Sequence, residues 1–197
     1  MYEFSVFVTH FRRHCANSDV KTTHMIKLYL LLGGNLGDKK KVFHDARAKL
    51  SEHVGKITAQ SAVYETEPWG FESPDLFWNQ VLEISTSLSP EEVLAQTQII
   101  EQKMGRIRKE SQYSSRIIDI DILFYGDQII NQENLVIPHP RIQERKFALM
   151  PLYEIAPELI HPVFQKSIRQ LLEECTDEVM VKIVPDVMCR FHSSFKI

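Results

Sequence analysis

Arg116-Ile117-Ile118-Asp119-Ile120-Asp121-Ile122-Leu123-Phe124 alternates isoleucine with aspartate before turning wholly apolar. Side chains on a strand point to opposite faces in turn, so Ile118, Ile120, Ile122 and Phe124 are expected in a core. Asp119 and Asp121 then share the other face, roughly 7 Å apart. A strand over 117–125 is the last term of a series that is read by working back from it. Ser89-Pro90-Glu91-Glu92 is a helix start, with a cap, a proline in the first turn and a capping-box glutamate. Val93, Thr97, Ile100 and Met104 form that helix's apolar stripe, and Gly105 ends it. Upstream, 77–87 reads as a strand, and Lys56 to Glu65 alternates Ile57, Ala59, Ser61 and Val63 with polar neighbours as a half-buried one. Asp38 caps a helix to about His53, with Val42, Phe43, Ala46 and Leu50 inward. Ile26 to Leu32, ended by Gly33-Gly34, is a buried strand.

Downstream, Gly126-Asp127 turns the chain into a short strand through Ile130. Pro151, Pro157 and Pro162 break the remainder into short pieces expected to wrap the sheet edge. The order βαββαβ predicts an α+β, ferredoxin-like sandwich: a mainly antiparallel sheet with helices on one face, a hairpin extension and C-terminal helical segments.

The chain has 197 residues, of which 44% are hydrophobic and 25% charged, which fits one globular domain. A net charge of −3 gives no global basic field for nucleic acid or a membrane surface, so a phosphate site must come from local clusters. The longest apolar run, Leu28 to Leu32, is far short of a membrane span. Cys15, Cys175 and Cys189 lie far apart without zinc-ligand spacing, which suits a reducing compartment, and the cytoplasm is expected. Residues 1–24 differ in character, and Arg12-Arg13-His14 follows their apolar residues rather than leading them, unlike a secretory signal. The expected organisation is a poorly ordered extension over 1–24, a catalytic domain over 25–185 and a tail over 186–197.

Two carboxylates 7 Å apart repel unless a cation or proton separates them, and hard oxygen ligands suit magnesium. An isolated D-x-D on a strand is more often a solvated face. Arg116 and the basic loop Arg106-Ile107-Arg108-Lys109, both suited to phosphate oxygens, shift the reading toward a metal and phosphate site. Gln98 and Glu101 sit at i and i+3, away from the stripe, where they are either a ligand-facing pair or ordinary exposed polar residues. Pro138-His139-Pro140-Arg141, with Arg145 nearby, presents a stiffened imidazole that is either a phosphate contact or a turn histidine. Trp69, Phe71, Phe77, Trp78 and Phe147 include candidates for sandwiching a flat heterocycle, with Asn79 on its edge. The Gly33-to-Gly37 loop fits neither a Walker loop nor G-x-G-x-x-G.

In this order, these residues resemble the 6-hydroxymethyl-7,8-dihydropterin pyrophosphokinase family from about Ile26 to Ile168. The likeness runs through Gly34-Asn35-Leu36, Tyr64-Glu65-Thr66, Phe77-x-Asn79, Gln98-x-x-Glu101 and Gly105-Arg106. It continues through Arg116-x-x-Asp119-x-Asp121, Pro138-His139, Arg145-x-Phe147, Pro151-Leu152 and Glu154 to Glu158. The resemblance implies pyrophosphate transfer from ATP to the pterin's hydroxymethyl oxygen, releasing AMP. It implies that Asp119 and Asp121 hold two Mg2+ ions, and that Arg106, Arg116, His139 and Arg145 bind phosphate oxygens. Thr66, Trp69, Phe77, Asn79 and Phe147 would hold the pterin. Gln98, Glu101, Arg108, Ile122, Leu135 and His139 would serve ATP. The implied partners are small molecules alone, with neither nucleic acid nor membrane, and a monomer is expected.

Departures from the family's pattern are Gln112-Tyr113-Ser114-Ser115, where a basic residue usually precedes the arginine, and Phe77 in place of tyrosine. Asn134 and Pro140 also replace residues that are often polar or charged. Two other readings compete. An RNA-binding module would need aromatics where this chain has aspartates, and a phosphohydrolase would need more His and Asp ligands near Asp119.

Overall fold

A computed structural model of the chain describes residues 24–68, 74–106 and 115–185. The expected extension, tail and 112–114 approach, with Trp69, Phe71 and Arg108, lie outside the described residues. The described elements are β1 (Ile26–Gly34), α1 (Lys39–His53), β2 (Lys56–Gln60), β3 (Tyr64–Thr66), β4 (Phe77–Thr86), α2 (Pro90–Lys103) and β5 (Asp119–Tyr125). Then come β6 (Ile130–Gln132), β7 (Leu135–Ile137), α3 (Lys146–Ile155), β8 (Ile160–His161), β9 (Lys166–Ser167), α4 (Ile168–Glu174) and β10 (Val181–Ile183).

The sheet runs β10-β3-β4-β1-β5, with β2 also pairing β4, and all its ladders are antiparallel. α1 and α2 each connect strands that are next-but-one neighbours, which is the split βαβ arrangement. Local chemistry sets the ends. Asp38 accepts from the Lys41 N–H, and Ser89 and Glu92 close a capping box on α2. Gly105, at φ +88°, stops α2.

Three expectations are corrected. The strand expected over 56–65 breaks in two at Ser61–Val63. Here the Ser61 hydroxyl, instead of a backbone carbonyl, accepts from the Val81 N–H at 3.0 Å. Helices cover both faces of the sheet rather than one. Leu28, Leu30 and Leu32 meet Phe43, Ala46 and Leu50 of α1 and Val93 and Ile100 of α2 on one side. Tyr29, Leu31 and Val81 meet Leu149 and Leu152 of α3 and Ile168 and Leu171 of α4 on the other. The C-terminal pieces thus form a second layer of core, and only β10 extends the edge.

Phe124 is the third correction. The β1–β5 register shifts between Tyr29↔Phe124 and Leu30↔Ile122, so Leu123 is an inserted residue. The bulge turns Phe124 onto the second face, where its ring stands edge-on to Tyr29 at 6.3 Å. Tyr125 takes the first face instead.

The break between β2 and β3 is held from the second face. Glu154 of α3 accepts from the Ala62 N–H at 2.9 and 3.1 Å and from the Tyr64 hydroxyl at 2.8 Å. Burial and this carboxylate push the Tyr64 phenol well above its usual range. Both donors belong to buried residues, and an unsatisfied buried donor costs about 1–3 kcal/mol. Glu154→Ala is therefore expected to lower unfolding stability by about that amount. In a urea titration the midpoint should fall with the slope unchanged.

Candidate active site

β5 ends the sheet among the described residues, so one side of its backbone meets no described strand. Glu101 of α2 fills that role, accepting from the Ile120 N–H at 2.7 Å. Glu101 is only 3% exposed and lies beside Ile100, so the expectation that it points away from the buried stripe is corrected. The same oxygen pairs with Arg106, which leaves the end of α2 just past Gly105. Arg106 also reaches one oxygen of Asp119 at 2.6 Å, while Arg116 takes the other. Asp119 is thereby bracketed by two guanidiniums, with Asp121 two residues along the same face.

A cavity of about 830 Å³ opens over this edge, within the range of small-molecule sites. Its charged centre is Arg106, Arg116, Asp119, Asp121, His139 and Arg145. Thr66, Phe77, Asn79 and Phe147 line a second corner. Asn79 pairs with Gly33, which pairs in turn with Asp119. Two strand spacings therefore place this corner about 10 Å from the carboxylates. Asn79 donates to the Thr66 hydroxyl at 3.1 Å, both being buried. The rings of Phe77 and Phe147 each carry an arginine, Arg116 and Arg145 respectively, at 5.7 Å.

The third wall is α2 itself, through Glu91, Leu94, Ala95, Gln98 and Glu101. At about 1.5 Å per residue, Glu91 and Glu101 stand roughly 15 Å apart along it. Ile122 and Leu135 do not line the cavity. Both are buried in the main core, against which Leu94 of the wall packs. Glu91, Leu94 and Ala95 escaped the sequence reading, although with Gln98 and Glu101 they follow helical spacing and could have been found by extending that pair toward the helix start. Asn134, noted only as a departure, also lines the cavity.

The site's protonation follows from its crowding. Loss of hydration, followed by the neighbouring Asp119 charge, pushes Asp121 up to about 7, against the pull of Arg145 and Arg116. Burial and Asp119 likewise raise Glu101, opposed by Arg106. Burial and then Arg145 pull His139 down to about 4, leaving it neutral at physiological pH. Its Nδ1 lies 3.2 Å from the Arg141 N–H and its Nε2 lies 3.4 Å from the Arg145 guanidinium, so a donor faces each ring nitrogen. Among the described residues, no three His, Cys, Asp or Glu groups converge as a closed metal cage. Two carboxylates that resist joint ionisation suit a hard divalent cation whose remaining ligands are waters and substrate oxygens.

A sandwich whose edge strand offers paired carboxylates among arginines is the frame of a metal-assisted phosphotransfer enzyme. Residues 29–157 match the model of the 7,8-dihydro-6-hydroxymethylpterin-pyrophosphokinase (HPPK) family, and the chain belongs to that family. The 2-amino-4-hydroxy-6-hydroxymethyldihydropteridine pyrophosphokinase of Aquifex aeolicus is 40% identical over 152 residues, covering 77% of this chain and 94% of that one. The folic acid synthesis protein fol1 of Pneumocystis carinii is 40% identical over 173 residues, 86% of this chain, which spans only 23% of that longer relative. The crystal structure of Plasmodium falciparum HPPK-DHPS with pteroate shares the fold at a TM-score of 0.62 and 19% identity, covering 77% of this chain and 44% of that one.

The raised Asp121 carries a stability consequence. Its folded value lies above the unfolded one, so without a cation the folded state loses stability as pH rises from about 4 to about 7, and the full penalty persists above. Asp121→Asn removes that penalty. Cation-free Asp121→Asn protein should be more stable than the parent at pH 8, by on the order of 2 kcal/mol, with the gain fading toward pH 4. Thermal melts in EDTA across that range measure it.

Proposed function

We propose that this chain transfers pyrophosphate from ATP to the hydroxymethyl oxygen of 6-hydroxymethyl-7,8-dihydropterin, giving AMP and the pterin diphosphate in folate biosynthesis. The observation that carries the reading is one cavity joining an aromatic-flanked corner to paired carboxylates ringed by arginines. The catalytic unit is 25–185, acting as a cytoplasmic monomer on small molecules, without nucleic acid or membrane. No described helix is long and apolar enough to cross a membrane.

The flat pterin lies between Phe77 and Phe147, with Asn79, Thr66 and the chain at Trp69 reading its edge. ATP lies along α2, its base toward Leu94 and Ala95 with Ile122 and Leu135 in the core behind. Gln98, Glu101 and Arg108 flank its phosphates. Asp119 and Asp121 would hold two Mg2+ ions, which would neutralise phosphate charge and align the reacting groups. The hydroxymethyl oxygen forms its bond to the β-phosphorus, and the bond from that phosphorus to the oxygen bridging the α-phosphate breaks, so AMP departs with the bridging oxygen. The hydroxyl proton passes to solvent or a phosphate oxygen. Arg106, Arg116 and Arg145 stabilise the charge that builds up, with the neutral imidazole of His139 beside the phosphates. Positioning and electrostatics, rather than a dedicated base, carry the rate.

Purified full-length protein with ATP, Mg2+ and the pterin alcohol should yield AMP and pterin diphosphate in equal amounts. Steady ADP production would overturn the reading. Asp119→Ala and Asp121→Ala should each lower kcat by on the order of 100-fold or more while far-UV circular dichroism is retained. Chelating the cation should abolish turnover, and restoring Mg2+ should recover it.

A further inference from the structure

Asn35 does not line the cavity, yet its side chain is almost wholly buried between two of the cavity's walls. Its Oδ1 accepts from the Arg116 N–H at 2.8 Å, and its Nδ2 donates to the Ser115 hydroxyl at 3.0 Å and to the Asp75 carbonyl at 3.3 Å. The backbone N–H groups of Asn35 and Leu36 both donate to the Arg116 carbonyl, at 3.0 and 3.3 Å. One residue earlier, Gly34 packs so close that a Cβ there would sit 2.3 Å from the Ile117 carbonyl oxygen. Both backbone polar groups of Arg116 are therefore held by the β1–α1 turn, three residues before Asp119. The same turn holds the approach to Phe77, through Asp75 and through the Leu76 carbonyl, which accepts from Lys39 at 3.0 Å. Between the two held segments, the Arg116 guanidinium rests 5.7 Å from the Phe77 ring.

Resting on the pyrophosphokinase reading, we propose that Asn35 is a positioning residue that sets the phosphate-facing arginine and the pterin-stacking ring at a fixed separation. One amide does this because it offers both an acceptor and donors: the acceptor fixes the Arg116 side and a donor fixes the Asp75 side. Hydrophobic packing could hold either segment alone but would leave their spacing free to drift. A misplacement of about 1 Å between reacting groups can cost a hundredfold in rate.

The two functions of the amide separate by substitution. Asn35→Asp keeps an oxygen for the Arg116 N–H but sets a carboxylate against the Asp75 carbonyl, whereas Asn35→Ala removes both ties. Asn35→Ala should lower kcat about tenfold to hundredfold and speed hydrogen exchange at the Arg116 amide. Asn35→Asp should retain protection at that amide and an ATP KM within about threefold of the parent's, while the pterin KM rises about fivefold or more. Parental exchange at Arg116 in Asn35→Ala, or kcat and both KM values within about twofold of the parent's in both variants, would overturn the proposal. A general loss of fold would instead raise exchange across β1 and β4 in both variants alike, and that too overturns it. If the parent itself forms no AMP from ATP and the pterin alcohol, the reading of function fails, while the exchange measurement still decides whether the tie exists.

Discussion

Asp119 gives one carboxylate oxygen to Arg106 and the other to Arg116, and the rest of the site is arranged around that bracket. Asp121 is pushed up to about 7 by loss of hydration first and by the Asp119 charge second, against the pull of Arg145 and Arg116. Two such carboxylates repel when both are ionised, and that cost falls on the stability of the cation-free protein.

The bracket depends on where the sheet ends. Among the described strands β5 has a neighbour on one side only, and its other side is met by the His139 N–H, which donates to the Leu123 carbonyl at 3.0 Å, and by the buried carboxylate of Glu101 from α2. That single carboxylate joins the sheet edge to the helix end and to Arg106, so fold and charge network are not separable there. The turn after β1 contributes from the opposite direction, gripping the Arg116 backbone. The second layer of core, supplied by α3 and α4, carries Arg145 and Phe147 to the cavity from beyond the sheet's other face.

Much of this was legible along the chain. The alternation at 118–122 marked the edge strand and its two outward carboxylates, because strand periodicity is a local property. The capping box at Ser89–Glu92 and the stop at Gly105 fixed α2 to its observed span, because caps are made by residues within one turn. Arg106, Arg116, His139 and Arg145 were selected as phosphate ligands by type and by resemblance, and the fold gathers them on one cavity with the aspartates. Phe124 was misassigned because a single inserted residue, Leu123, reverses facing, and a bulge leaves no mark in an apolar run. Glu101 stands on the cavity as the resemblance implies, but its burial and its bond to the sheet edge were not legible, because they depend on a strand backbone 19 residues further along the chain.

The sequence by itself determined the βαββαβ order, the start and stop of α2 and the shared face of the two carboxylates, all of which rest on interactions between residues a few positions apart. Only the tertiary structure decided that Asp119 is bracketed by two arginines, that Asp121 resists ionisation, that helices cover both faces of the sheet and that Asn35 ties two walls together. Those are contacts between residues far apart along the chain, such as Asn35 with Arg116, 81 positions away. Their energies depend on burial and mutual distance, which exist only once the chain has closed around the site.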